Sequence, residues 1–200
     1  MMIQIDFKDY PDNVHDGVLW RAPPEALKAV PQLYDRAASS LYMLFQSGGS
    51  EIILPDGISG GLHVAAHFRA ALTEFVGVEE AMKNAGFAYR IQNSKSPLLH
   101  FMRLLRNYQI HVGTQPIAQK QWQFKIGDMK GTVTMAIIDN LHVDDFMELR
   151  AIKDRRDYTR DDVKRMILGF QAYQGRLGAY ELLRRGVTRL ISEVAAQIER

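Results

Sequence analysis

No cysteine occurs among the 200 residues. Disulfide scaffolds, thiol nucleophiles and cysteine-ligated zinc are therefore excluded, and the absence fits a reducing compartment. Long apolar runs are missing as well: none approaches the roughly 20 residues a membrane-spanning helix needs. The opening MMIQIDFKDYPD has neither a basic start nor an apolar stretch of signal-peptide length. An excess of one charge is lacking too, with 25 Lys and Arg against 23 Asp and Glu, so net charge by itself argues for no nucleic-acid partner. Together these absences lead to the expectation of a cytoplasmic protein with no membrane contact.

What is present is core material. Hydrophobic residues make up 46% of the chain, with nine Phe, eight Tyr and two Trp. That suits one globular domain over residues 1–200 without staples. Charge is uneven along it. Residues 1–60 carry 4 Lys/Arg against 8 Asp/Glu, residues 61–140 carry 9 against 5, and residues 141–200 carry 12 against 10. The basic middle third is a weak pointer to an anionic partner.

Periodicity assigns the elements. MIQIDF, residues 2–7, alternates Ile3, Ile5 and Phe7 with polar neighbours, as a short strand does. Pro23 and Pro24 suit the first turn of a helical stretch to about Gln46, with Pro31 offering a later start. SGGSEIILPDGISGG, 47–61, is a glycine-rich connector whose EIIL has the makings of a short strand. A second helix is expected from about Leu62 to Ala85, stopped by Gly86, and Ser96-Pro97 opens a third. QWQFKI and TVTMAII alternate around the turn GDMKG, which predicts a β-hairpin at about 121–138. Helical patterns return at about 142–153, at 159–173 and to the C-terminus, where Gly169, Gly175, Gly178 and Gly186 mark either a break near Gln174 or close helix packing. The fold expected is mainly α, a helical bundle with an inserted hairpin.

The third helix holds the most informative stretch, LLHFMRLLRNYQIHVG, residues 98–113. On a helical wheel Leu98, Phe101, Met102, Leu105, Tyr108 and Val112 share an arc of roughly 120°. His100, Arg103, Asn107 and His111 form a second stripe, with Arg106 beside it. That stripe has no carboxylate. Two arginines without an acidic partner within a turn point to an anion supplied from outside, such as a phosphate.

RNYQIH, Arg106 to His111, resembles the motif of HEPN domains, an Arg followed after four to six residues by a His, with an Asn directly after the Arg. The six residues carry the resemblance, within a helical context of about 90 more; the hairpin and the acidic N-terminal region lie outside it. The resemblance implies a helical bundle that dimerises. It also implies either a metal-independent endoribonuclease of toxin–antitoxin or phage-defence type, or a catalytically silent module binding RNA, nucleotide or a protein partner such as an antitoxin. Gly113 stands where one HEPN subset has a nucleotidylated Tyr, which sets that regulation aside. Under this reading Arg106, Asn107 and His111 are the catalytic set, and Arg103 and His100 help bind RNA phosphate. Metal-free cleavage needs one group to take the 2′-hydroxyl proton and another to protonate the leaving oxygen. His111 titrates in the right range, and Arg106 can face the charge building on phosphorus. One chain offers one motif histidine, so a two-fold homodimer is expected to supply the second.

Other candidates are weaker. His63 and His67 in HVAAH sit one turn apart with Glu74 on the same face, but Val64 stands where zinc proteases have Glu, so packed or surface histidines are expected and no metal. The glycine-rich connector lacks a Gly-Lys-Ser/Thr element, and no motif calls for a cofactor. DRRDYTR, 154–160, reads as a solvated turn. Trp122, Phe124, Val133 and Met135 are expected to pack the hairpin on the bundle, with a base-stacking surface as the rival reading.

Overall fold

The computed structural model describes residues 3–8, 10, 22–47, 56, 58–111 and 117–199, with the side chains of Ile110, His111, Phe124, Ile126 and Ala151 outside the description. The architecture is mainly helical with one antiparallel hairpin. Helix α1 spans Leu33–Ser47, α2 Gly60–Asn84 and α3 Pro97–His111; strands β1 (Ile117–Ile126) and β2 (Met129–Ile138) follow, then α4 (Val143–Met147), α5 (Arg150–Lys153) and α6 (Arg160–Ile198).

The first helical stretch is divided where proline dictates. Glu25–Ala29 forms a 3-10 turn and Val30, the residue before Pro31, is extended at φ −113°, ψ 122°, the conformation that a following proline imposes. Gln32 then takes φ 64°, and α1 starts one residue later. Helix α2 begins where the Ser59 side chain accepts the Leu62 amide at 3.1 Å and ends in a Schellman turn: Gly86 has φ 86°, and the Gly86 and Phe87 amides donate to Lys83 and Met82 carbonyls. Helices α1 and α2 pack side by side; the Ser40 hydroxyl donates to the Ala71 carbonyl at 2.8 Å between them.

Residues 3–8 do not form the expected strand. Ile3, Ile5 and Phe7 do pack against the core, but among the described residues the segment pairs with no strand, and one backbone bond, Asp6 amide to Lys95 carbonyl at 2.9 Å, ties it down. Alternation recorded which side chains face inward; a ladder needs a partner strand, which the described residues do not supply. The EIIL segment, 51–54, lies outside the described residues.

The hairpin is longer than the pattern indicated, pairing Ile117 with Ile138 through Ile126 with Met129. Gly127 at φ 60° opens its two-residue turn. Its base docks on α6: Gln174 extends its side-chain amide to the backbone of Ile138, accepting from the amide at 3.0 Å and donating to the carbonyl at 2.8 Å. Gly178 has φ 79° and ψ 157°, so α6 is kinked there rather than at Gln174. A Cβ at Gly178 would lie 3.3 Å from that of Met135. Of the four side chains expected to pack the hairpin, Met135 does; Trp122 and Val133, cross-strand partners, are 48% and 45% exposed.

Helix α6 starts at a capping box in which Thr159 and Asp162 each bond the other's backbone amide. Its later half packs on α3 closely enough that a Cβ at Gly186 would sit 2.0 Å from the Met102 sulfur. Phe101 of α3 packs against Phe146 and Phe170. Helix α3 is thus enclosed by α2, α4 and α6, and this enclosure governs its polar residues.

Candidate functional site

The polar stripe of α3 divides by partner: His100 and Arg103 are engaged by other elements of the fold, whereas Arg106 and Asn107 bond each other. His100 is 0% exposed. Its Nε2 lies 2.8 Å from the Ser94 carbonyl, which only accepts, so Nε2 carries the proton. Neutral imidazole then accepts at Nδ1, and the Tyr158 hydroxyl donates to it at 2.8 Å. Burial pushes the His100 pKa below the ordinary histidine range, outweighing the opposing hydrogen bond to Ser94. Tyr158 is buried in turn, and burial pushes its own pKa up while Arg103 beside it pulls the other way.

Arg103 also has an internal partner. Its Nε lies 3.6 Å from Oε2 of Glu79, both side chains largely buried, and Glu79 Oε1 accepts the Ile91 amide at 3.2 Å. His100, expected to help line an RNA-facing groove with Arg103, has no exposed surface here, while Arg103 is half-buried with Glu79 as its ion-pair partner. The two residues belong to a polar chain joining α2, α3 and the turn before α6. The stripe lacks a carboxylate within its own helix because α2 supplies one across the bundle, a relation that spacing along α3 cannot display.

Arg106 and Asn107 remain partly accessible. The Arg106 Nη1 donates to Asn107 Oδ1 at 3.3 Å, while its Nε is buried without a hydrogen-bond partner. No ion pair engages Arg106 among the described residues. His111 is the last residue of α3, so its backbone stands one to two turns beyond Arg106; its side chain and residues 112–116 lie outside the description. On the opposite flank Tyr108 stacks on Phe146 with ring centroids 4.9 Å apart and reaches Asp145 with its hydroxyl at 3.3 Å.

On α2 the His63 and His67 rings meet edge to face at 4.3 Å. His63 Nε2 is 3.3 Å from the Gln46 carbonyl, and burial, then the neighbouring His63, lower the His67 pKa. Glu74 is engaged elsewhere, accepting from Arg36 at 3.0 Å. Among the described residues no group of three His, Cys, Asp or Glu is placed to hold a metal ion, and no helix is long and apolar enough to cross a membrane.

A second polar cluster escaped the sequence reading altogether. Glu193, near the end of α6, accepts from the Tyr89 hydroxyl at 2.9 Å, the Ser94 hydroxyl at 3.0 Å and Arg189 Nε at 2.8 Å. Ser94 joins this cluster to His100 through its carbonyl. No local signal marks Tyr89 or Ser94 as partners of a residue some hundred positions away. No known family model, curated protein or solved structure matches the chain.

Proposed function

We propose that this protein is a HEPN-like, metal-independent endoribonuclease that acts as a homodimer. One observation carries the reading: among the described residues Arg106 is the stripe arginine left without a carboxylate, and Asn107 holds its guanidinium one turn before His111. A guanidinium with unspent donors beside a titratable imidazole suits a phosphodiester that must be held and proton-shuttled. In this reading Arg106 stabilises charge on the phosphorane, Asn107 orients the guanidinium, and His111 transfers protons. A second copy across a two-fold axis supplies the complementary histidine. The products are 2′,3′-cyclic phosphate and 5′-hydroxyl ends. A cytoplasmic toxin–antitoxin or phage-defence role, with an antitoxin-like partner, follows from the same resemblance.

The test is RNA cleavage in EDTA by the native chain and by His111→Ala, with the mass in solution measured alongside. Cleavage lost in His111→Ala supports the reading. RNA bound but uncut by the native chain replaces it with the catalytically silent binding module. A monomer with full activity removes the composite site.

A further inference from the structure

A cleft lies away from α3's accessible stripe. It occupies about 600 Å³ between the N-terminal segment, the 89–95 turn and the last turns of α6, within the size range of small-molecule sites. Five charged side chains line it: Asp6, Lys8, Lys95, Arg189 and Glu193.

Which of these remain available decides what it can hold. Glu193 is already saturated by Tyr89, Ser94 and Arg189, and Arg189 balances its charge. Asp6 turns its Oδ1 onto the Lys8 backbone amide at 2.9 Å. Asp6 thus keeps its charge and lines the cleft as one carboxylate facing the ammonium groups of Lys8 and Lys95. By contrast, the side chains of Lys8, Lys95, Asn93 and Gln197 line the cleft with no hydrogen-bond or ion-pair partner among the described residues. Set against the single carboxylate of Asp6, the uncommitted chemistry is two ammonium groups and two amides, a donor-rich set with a net positive charge. The wall is also held in place. Lys95 accepts the Asp6 amide through its carbonyl, which ties the two lysine-bearing segments together, and the 5% exposed Ser94 beside it is bonded to Glu193 and His100.

We propose that this cleft binds a small polyanionic molecule, its phosphate or carboxylate oxygens taken by Lys8 and Lys95 and its remaining acceptors by Asn93 and Gln197. The volume is several times what one inorganic phosphate fills, so the ligand carries a body as well as the anionic group. The assignment is independent of the ribonuclease reading, since none of these residues belongs to the Arg106–His111 set.

The experiment is calorimetric titration of the full chain with pyrophosphate and, separately, with citrate, at low ionic strength. Saturable binding of either probe is expected, weakened about tenfold or more in the Lys8→Gln/Lys95→Gln variant, because two charge-assisted contacts are lost. Salt should weaken it as well. Pyrophosphate alone binding assigns phosphate chemistry; citrate alone assigns carboxylate chemistry. Both lysines are exposed, so the variant should keep its fold, checked by circular dichroism. No saturation by either probe at millimolar concentration, or equal binding by the folded double variant, overturns the proposal.

Discussion

The Nδ1 of His100 accepts the hydroxyl proton of Tyr158 across 2.8 Å, with both side chains buried. Since Nε2 is committed to the Ser94 carbonyl, the imidazole has no place for a second proton without turning the Tyr158 contact around. Burial depresses the folded-state pKa. The unfolded chain therefore takes up a proton that the native chain resists once pH falls below about 6.5. The stability that neutral His100 contributes is present above that pH and is lost as pH falls from there through the depressed folded value. Urea unfolding between pH 8 and pH 5 should show this fall, and His100→Gln should flatten it. An equal slope in both proteins would show that His100 is not its source.

Tyr158→Phe keeps the ring and deletes the donor, leaving Nδ1 buried and unpaired. A loss of about 1–3 kcal/mol is expected from chemical denaturation. A neutral effect would mean that water replaces the hydroxyl.

Gln174 holds the base of the hairpin by both its amide atoms. Gln174→Leu should strand the Ile138 amide and carbonyl, at a cost of about 1–3 kcal/mol. Hydrogen exchange at the Ile138 amide should accelerate while exchange in the middle of α2 stays as it was. Unchanged protection at Ile138 would mean that Gln174 does not anchor the ribbon.

Gly186 and Gly178 are needed for different reasons, and alanine separates them. At Gly186 the new methyl overlaps the fully buried Met102, so Gly186→Ala should cost about 1–3 kcal/mol and be partly rescued by Met102→Val. At Gly178 the cost is the left-handed φ of 79°, roughly 1–3 kcal/mol, which a change at Met102 should not relieve. Denaturation of the single and double variants reads both.

On the proposed reading, His111→Ala should lower RNA cleavage by about 100-fold or more with little change in affinity. Arg106→Ala should reduce cleavage and the salt-sensitive part of binding together. Lys at position 106 should restore binding better than cleavage, since it lacks the planar fork. Asn107→Asp places a carboxylate where Oδ1 now accepts from Arg106 and should weaken RNA binding by neutralising the guanidinium. Folded variants that leave cleavage and affinity unaltered would reduce the stripe to a helix surface.

The His63–His67 pair should carry no catalytic zinc, because Glu74 is held by Arg36 and offers no ready third ligand. Elemental analysis showing stoichiometric zinc, with activity lost on chelation and restored by zinc, would reverse this.

Local chemistry decided most of the fold and only part of the candidate site. Pro31, Gly86 and Pro97 delimit helices through φ constraints and missing donors that act within a few residues, and the alternation around Gly127-Asp128 specifies a hairpin for the same local reason. Core-facing positions of α3 were legible because a 3.6-residue period assigns a face whatever packs on it. What covers the other face is not a local property. Glu79 reaches Arg103 from α2, Tyr158 reaches His100 from the turn before α6, and Gln174 reaches Ile138 from α6. Each of those pairings joins segments far apart in the chain, and burial, not spacing, made them obligatory: a polar group taken out of water must find a partner wherever the fold puts one. For that reason composition and period identified the helix and its motif, and only the assembled bundle separated Arg106 and Asn107 from the two stripe residues that other elements engage.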